Sequence, residues 1–350
     1  MTEHPKFSDV YADLLGGKLS PETVRRVFDA IFAGAWTPVQ IAGFVAALRI
    51  AGETPPVIAA AASALRSAMV RVEHGLPRVL DTCGTGGDGL GTLNLSTGAA
   101  IIAAAAGVPV AKHGNRAASS LTGSADVLEA LGIPIDLPAS SAASVLREAG
   151  IVFLLAPTHH PAMRHAGQVR RELGIRTIFN FLGPLANPAG ATHQLVGVTD
   201  DALRPFLAST LRALGAQRAW VVRGVDGLDE MSPCGITRVS VVTNTGLSEL
   251  ELSPEDFGLD RIPLSSLKGG DAAANAATLE QILQGTPHAA TNGFVLNAAA
   301  ALVVADDLAP KAATERVREI LSTGAAHRLL DRWRAVARSK KNSALPDASG

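Results

Sequence analysis

Aromatic residues are scarce in this chain, 4% of its residues against 47% hydrophobic. Alanine supplies much of that excess, a composition that suits tightly packed helices around an α/β core. Cysteine is scarcer still: Cys83 and Cys234 form no CxxC pair and no zinc spacing. They fit reduced cytosolic thiols, not a secreted disulfide framework. An excess of either charge is also missing. With 31 basic and 32 acidic residues the net charge is −1, so no broad basic face exists to displace counterions from nucleic acid. A local basic site remains open. The longest apolar run, "GAAIIAAAAGVPVA" at 98–111, is too short and too interrupted to span a bilayer. The opening "MTEHPKFSDVYADLL" lacks the basic-then-apolar layout of a signal peptide. The expectation is a soluble, cytoplasmic protein. Its 350 residues allow a sizeable core and more than one domain.

What is present falls into two textures. The first seventy residues read as helices, with "SPET" at 20–23 and "TPVQ" at 37–40 each placing a hydroxyl at the N-cap and proline just inside. Gln40 completes a capping box with Thr37, and "TPPV" at 54–57 is a looser start. Val24, Val27, Phe28 and Ile31 recur at helical spacing, which gives one buried face. From residue 78 short apolar runs appear: "RVLDTC", "VPVAKH", "IVFLLAP", "HQLVGV", "RAWVVRG" and "TRVSVVT". Helical stretches separate several of them, which implies a mainly parallel central sheet flanked by helices. The fold class is α/β, with a small all-helical N-terminal domain followed by a larger domain. We place the helical domain at 1–72, the α/β domain at 73–338 and a flexible tail at 339–350. No internal repeat is visible.

"GTGGDG" at 84–89 follows one strand and precedes an apolar helix. It matches GxGxxG, but the dinucleotide reading wants an acidic residue at the end of the next strand. Lys112 and His113 stand there instead, and no GK[ST] follows to make a Walker A loop. An anion site remains. Ser96 and Thr97 open the helix that leaves the loop, where hydroxyls either cap it, worth about 1 kcal/mol, or meet a phosphate at its positive end. "AKHGNRAASS" at 111–120 adds Lys112, His113 and Arg116 among small residues. Parallel strands would bring both turns to the carboxyl edge of the sheet.

Asp88 is the anomaly in that loop. A bare carboxylate about 4 Å from a phosphate costs roughly 4 kcal/mol at an effective dielectric of 20. It must bond a ligand hydroxyl or amine, or face phosphate through a cation. "GVDGLDEMSP" at 224–233 supplies Asp226, Asp229 and Glu230 in a turn. Oxygen ligands without soft partners suit Mg²⁺ shared with substrate phosphates, although an ordinary acidic turn reads the same way. Arg164, Arg170, Arg171 and Arg176 follow a helix start at Pro161, and an arginine there could clamp a carboxylate, or simply be solvated. His159, His160 and His165 lack an acidic or cysteine partner at metal spacing, and no G-x-S-x-G elbow is present.

Together "DTCGTGGDGLGTLNLSTGAA", "AKHGNRAASS", "ADVLEALG", "APTHHPAMRHAGQVRRELGIRTIFNFLGPLANP" and "DGLDEMSP" resemble the anthranilate phosphoribosyltransferases, in that family's order from about residue 10 to 335. Leu93 and Leu155 stand where that pattern has phenylalanine, and Ala117–Ala118 is a blander pair. The resemblance implies transfer of the phosphoribosyl group of phosphoribosyl pyrophosphate (PRPP) to the amine of anthranilate, in tryptophan biosynthesis. It implies a helical domain joined by a hinge to the α/β domain, and a homodimer formed through the helical domain, with residues 161–186 packed on that domain. By motif, Gly84, Gly87, Asp88, Thr92, Asn94, Leu95, Ser96 and Thr97 would hold PRPP. So would Lys112, His113, Gly114, Asn115, Arg116, Ala117, Ala118, Ser119 and Ser120, with Ser124 at the edge. Ser96, Asp229 and Glu230 would bind two Mg²⁺ ions per subunit, and Gly84, Asn115 and Arg170 would contact anthranilate. The nearest alternative is a pyrimidine nucleoside phosphorylase-like enzyme of the same plan, and another is a non-catalytic nucleic-acid-binding paralogue. The "DGLDE" acids and the "NLST" turn favour pyrophosphate with magnesium.

Overall fold

The computed structural model describes residues 4–117 and 121–343. Phe7–Leu15 form α1, and proline in the first turn opens α2 (Pro21–Phe32), α3 (Pro38–Ala51) and α4 (Pro55–Ala68). The start signals act as expected. Ser20 Oγ accepts from the Thr23 amide at 3.1 Å, and Thr37 and Gln40 close their capping box at 3.3 and 2.9 Å. Thr54 makes no side-chain cap bond, which agrees with its looser motif.

The α/β part begins with β1 (Leu80–Gly84), α5 (Leu95–Ala105), β2 (Val110–Gly114), α6 (Ser124–Ala130), α7 (Ala139–Ala149) and β3 (Ile151–Leu155). Short α8 (Ala156–His159) leads to α9 (Arg164–Leu173) and α10 (Phe179–Leu185). Then come β4 (His193–Gly197), α11 (Leu203–Ala213), β5 (Arg218–Gly224), β6 (Thr237–Val242) and β7 (Leu247–Leu252). Four helices close the chain: α12 (Ala272–Leu283), α13 (Thr291–Asp306), α14 (Pro310–Ser322) and α15 (Ala325–Ser343). The seven strands lie in the order β3-β2-β1-β4-β5-β6-β7, parallel from β3 to β5 and antiparallel at β6 and β7.

All six apolar runs became strands. β7, "LSELEL", is the strand that pattern missed, because its leucines do not alternate and Leu247 and Leu250 stay exposed. It is held by charge instead: Glu249 accepts from Ser240 Oγ at 2.6 Å and Arg238 pairs with Glu251 at 3.2 Å. Residues 339–343, expected in the tail, continue α15, because Lys340 and Lys341 pair with Glu148 and Asp136 at 2.6 and 2.7 Å.

Alternate residues of β4 and β5 belong to two different cores. Leu195, Trp220 and Val222 pack with α5, α7, α13, α14 and α15. Val196, Ala219 and Val221 pack with α2, α3, α4, α9, α10 and α11, including Phe28, Phe44, Val169 and Phe179. Period-two alternation puts these sets on opposite faces of the sheet. The helical domain therefore shares its core with one sheet face. α5 and α13 are apolar all round and buried, and Gly98 lets them touch: a Cβ there would lie 2.3 Å from the Phe294 ring. Among the described residues no single helix is long and apolar enough to cross a membrane.

Candidate functional site

Strand order reverses between β1 and β4, which is where open α/β sheets form their ligand crevice. Gly84 and Gly197 end these strands side by side. The loop after Gly84 needs its glycines, since Gly86, Gly87, Gly89 and Gly91 have φ of 66°, 84°, 74° and 62°. Asp88 Oδ1 accepts from the Leu90 amide at 3.1 Å and closes a turn inside the loop. Arg176 steadies the loop from outside, bonding Thr199 Oγ1 at 2.7 Å and reaching Gly86 O at 3.5 Å.

The acidic turn enters over the two strand ends. A Cβ at Gly197 would meet the Asp229 carbonyl oxygen at 1.6 Å, and one at Gly84 would stand 3.3 Å from Asp229 Oδ2. Gly197 is the glycine that admits Asp229, whereas at Gly84 a Cβ would be a tight contact only. Asn297, fully buried on α13, holds the next residue but one: it accepts from the Met231 amide and donates to the Met231 carbonyl, both at 3.0 Å. Glu230 then accepts from the Ser96 amide at 3.1 Å, at the N-terminus of α5.

Asp229, beside Asp88, and Glu230 are buried together here. Burial, then the neighbouring Asp88, pushes Asp229 up to about 7. Burial, then Asp229, pushes Glu230 up to about 8 against the pull of Lys112 and Ser96. Lys112 lines the same cavity, but its ammonium bonds the Thr82 carbonyl and Ser96 Oγ, and faces buried Asp81 as well as Glu230. It is a buried counter-charge, and burial lowers its own pKa. Among the described residues no three His, Cys, Asp or Glu side chains close a metal cage. The acids fit Mg²⁺, which keeps waters and substrate oxygens and uses one or two carboxylates. A divalent charge would offset both the burial and the mutual repulsion that raise these pKa values.

A cavity of about 240 Å³ collects most of the expected residues. Gly84, Gly87, Asp88, Thr92, Asn94, Ser96 and Thr97 line it from the first loop and helix. Lys112, His113, Gly114, Asn115 and Ser124 line it from the second turn, and Asp229 and Glu230 from the third. Four expected residues are not in its lining. The Leu95 side chain is buried in the core beneath α5. Arg116 turns outward to Glu129 at 2.8 and 3.1 Å and Asp126 at 3.1 Å, because those acids on α6 capture it. Ala117 gives its amide to Asp126 at 2.9 Å. The Arg170 side chain, on α9, makes no hydrogen bond or ion pair among the described residues, and partial burial of its guanidinium lowers its pKa. Ala118, Ser119 and Ser120 lie outside the described residues.

His113 is neutral. Its Nδ1–H donates to Gly183 O at 3.1 Å, and burial lowers its pKa to about 3. Its Nε2 is buried and has no partner among the described residues, and its ring lies 5.0 Å from that of buried His160. Thr122, Gly270 and Asn275 line the cavity and are site residues that the sequence reading missed. "KGGD" at 268–271 carried the one visible signal for the last two, a second dense glycine pair before a helix.

The architecture and the site together define the class. Residues 76–327 match the glycosyl transferase family, a/b domain, and residues 14–69 match its helical bundle domain. The anthranilate phosphoribosyltransferase of Rhizobium meliloti (strain 1021) is 48% identical to this chain, covering 91% of it and 94% of the relative. The crystal structure of the Thermus thermophilus anthranilate phosphoribosyltransferase is 44% identical, with a TM-score of 0.89 over 94% of this chain and 99% of its own. The Saccharomyces cerevisiae enzyme in complex with PRPP and Mg is 28% identical, with a TM-score of 0.88 over 95% of this chain and 98% of its own. The same yeast enzyme is also known in complex with 4-fluoroanthranilate, at 28% identity and a TM-score of 0.87 over 96% of this chain and 100% of its own. This chain belongs to the anthranilate phosphoribosyltransferase family.

Proposed function

We propose that the chain carries out its family's reaction in the cavity between the glycine loop, the second turn and the acidic turn. The phosphoribosyl group of PRPP passes to the amine of anthranilate, giving N-(5-phosphoribosyl)anthranilate and pyrophosphate. The observation that carries this assignment is the Ser96–Glu230 contact at 3.1 Å, which joins an anion-binding helix start to a cation-binding carboxylate. Gly84, Gly87, Asp88, Thr92, Asn94, Ser96 and Thr97 hold PRPP from one side, and His113 to Asn115 with Ser124 from the other. Leu95, Arg116 and Ala117 act on the ligand through their backbone or after rearrangement, given where their side chains point. Ser96, Asp229 and Glu230 would hold two Mg²⁺ ions, whose chemistry when bound would be to supply positive charge for the pyrophosphate.

This chain's own groups do the rest. The loop and helix start orient the ribose so that its C1 faces the amine. The amine needs no strong base, since its nitrogen becomes acidic as the bond to carbon forms. Neutral His113 offers a buried acceptor lone pair, and an amine N–H is a donor that would satisfy it. Arg170, without a partner of its own among the described residues, suits the anthranilate carboxylate by two parallel bonds, with Gly84 and Asn115 completing that side. The two-domain division, the hinge between the domains, a homodimer through the helical domain and a cytoplasmic location complete the reading. The test follows anthranilate fluorescence in the presence of protein, PRPP and Mg²⁺. Loss of fluorescence that EDTA abolishes is the expected result, whereas a flat trace from folded protein refutes the assignment.

A further inference from the structure

Asn94 occupies the N-cap position of α5, and asparagine is among the residues that best cap a helix. Its side chain makes no cap bond. Instead its Oδ1 accepts from Asn275 Nδ2 at 3.0 Å, and its Nδ2 donates to Thr122 O at 3.4 Å. Asn275 is 3% exposed, and its Oδ1 accepts from the Gly270 amide at 2.7 Å. Thr122 Oγ1 closes the circuit on Gly270 O at 2.9 Å. Three segments, far apart in the sequence, thus join in one ring on the cavity wall.

The helix start bears the mark of that withdrawal. An Asn94 side chain free to cap would take the amide of Ser96 or Thr97. As built, the Ser96 amide goes to Glu230. Thr97 lines the cavity, and its Oγ1 is buried with no partner among the described residues, as expected of a hydroxyl that a ligand completes.

We infer that Asn275 is a positioning residue for the PRPP site: by tethering Asn94 it keeps the first turn of α5 clear for Glu230 and for the anionic substrate. This inference rests on the proposed location of PRPP. Removing the tether frees Asn94 to compete with Glu230 for the Ser96 amide and to block Thr97.

The test is a double-mutant cycle on the whole enzyme with Asn275→Ala, Asn275→Asp and Asn94→Ala, read by steady-state kinetics and by the rise in Tm that PRPP induces at fixed Mg²⁺. Asn275→Asp retains the acceptor for Gly270 and loses the donor to Asn94, so it covers the case in which the alanine variant folds poorly. The KM for PRPP should rise about tenfold, the factor that one hydrogen bond of about 1.4 kcal/mol carries, with the KM for anthranilate unchanged within about twofold. On the Asn94→Ala background the Asn275 substitutions should add little, because the side chain they release is gone. Full additivity overturns the inference, and so does a lower Tm with an unchanged KM for PRPP. A wild-type protein whose Tm ignores PRPP would instead refute the proposed site itself.

Discussion

Gly197→Ala tests the link between sheet and chemistry most directly. The added Cβ would sit 1.6 Å from the Asp229 carbonyl oxygen, and ordinary contact begins at 3.4 Å, so one side must move by about 1.8 Å (3.4 − 1.6). β4 is the less able to yield. It is paired along its length with β1 and β5, and Gly197 O also accepts from the Thr85 amide at 2.9 Å. The acidic turn therefore moves, taking Asp229 and Glu230 out of register with Ser96. Overpacking of this kind costs about 1–3 kcal/mol, which in a chain of 350 residues lowers Tm by roughly 1–4 °C. Displacement of a catalytic constellation by about 1 Å costs about 100-fold in rate. The expected outcome is a loss of kcat/KM of at least about 100-fold with a modest drop in Tm, measured by anthranilate fluorescence and differential scanning fluorimetry. Gly167→Ala on α9 is the control, because its Cβ would meet nothing closer than 3.6 Å and should leave activity unchanged. A Gly197→Ala enzyme of near-normal kcat/KM refutes the claim that this glycine exists to admit the acidic turn.

Asp229→Asn with Glu230→Gln should lower turnover by two or more orders of magnitude, about 3 kcal/mol or more of transition-state stabilisation. The fold should survive, since the variant replaces two buried carboxyls, whose ionised forms burial disfavours, by neutral amides of the same shape; near-normal activity would sink the magnesium assignment. His160 gives a pH test. Its folded pKa is lowered from 6.5 to about 4 by burial and by His159, so between those values the unfolded chain binds more protons. Stability should therefore fall as pH drops from 6.5 towards 4, by up to about 3 kcal/mol from this residue. His160→Gln should flatten that acid-side loss in a Tm-against-pH series, and an identical slope in both proteins refutes it.

Much of the site was legible because its chemistry is local. The spacing of glycines around Asp88, the hydroxyls at 96 and 97, and the paired acids at 229 and 230 each lie within a few residues. What was not legible depends on the partner that each side chain finds. Arg116 reads as a phosphate ligand beside Lys112, yet Glu129 and Asp126 hold it at 2.8 and 3.1 Å on the outer surface. Lys112 reads as a charge for the pyrophosphate, yet it is 2% exposed and bonded to Thr82 and Ser96 beneath the acids. Asn94 reads as a helix cap and is taken by Asn275.

By itself the sequence determined the helix starts, the six apolar strands and the loop that must be glycine, since caps, side-chain period and positive φ act between near neighbours. Tertiary structure alone decided that Gly197 must lack a side chain, that Asn297 should clamp Met231, and that the helical domain should share a core with one face of the sheet. Those outcomes turn on van der Waals contact and hydrogen bonds between residues tens to more than a hundred positions apart. Such contacts have no local signature, because the same side chain is neutral or decisive according to what the fold brings against it.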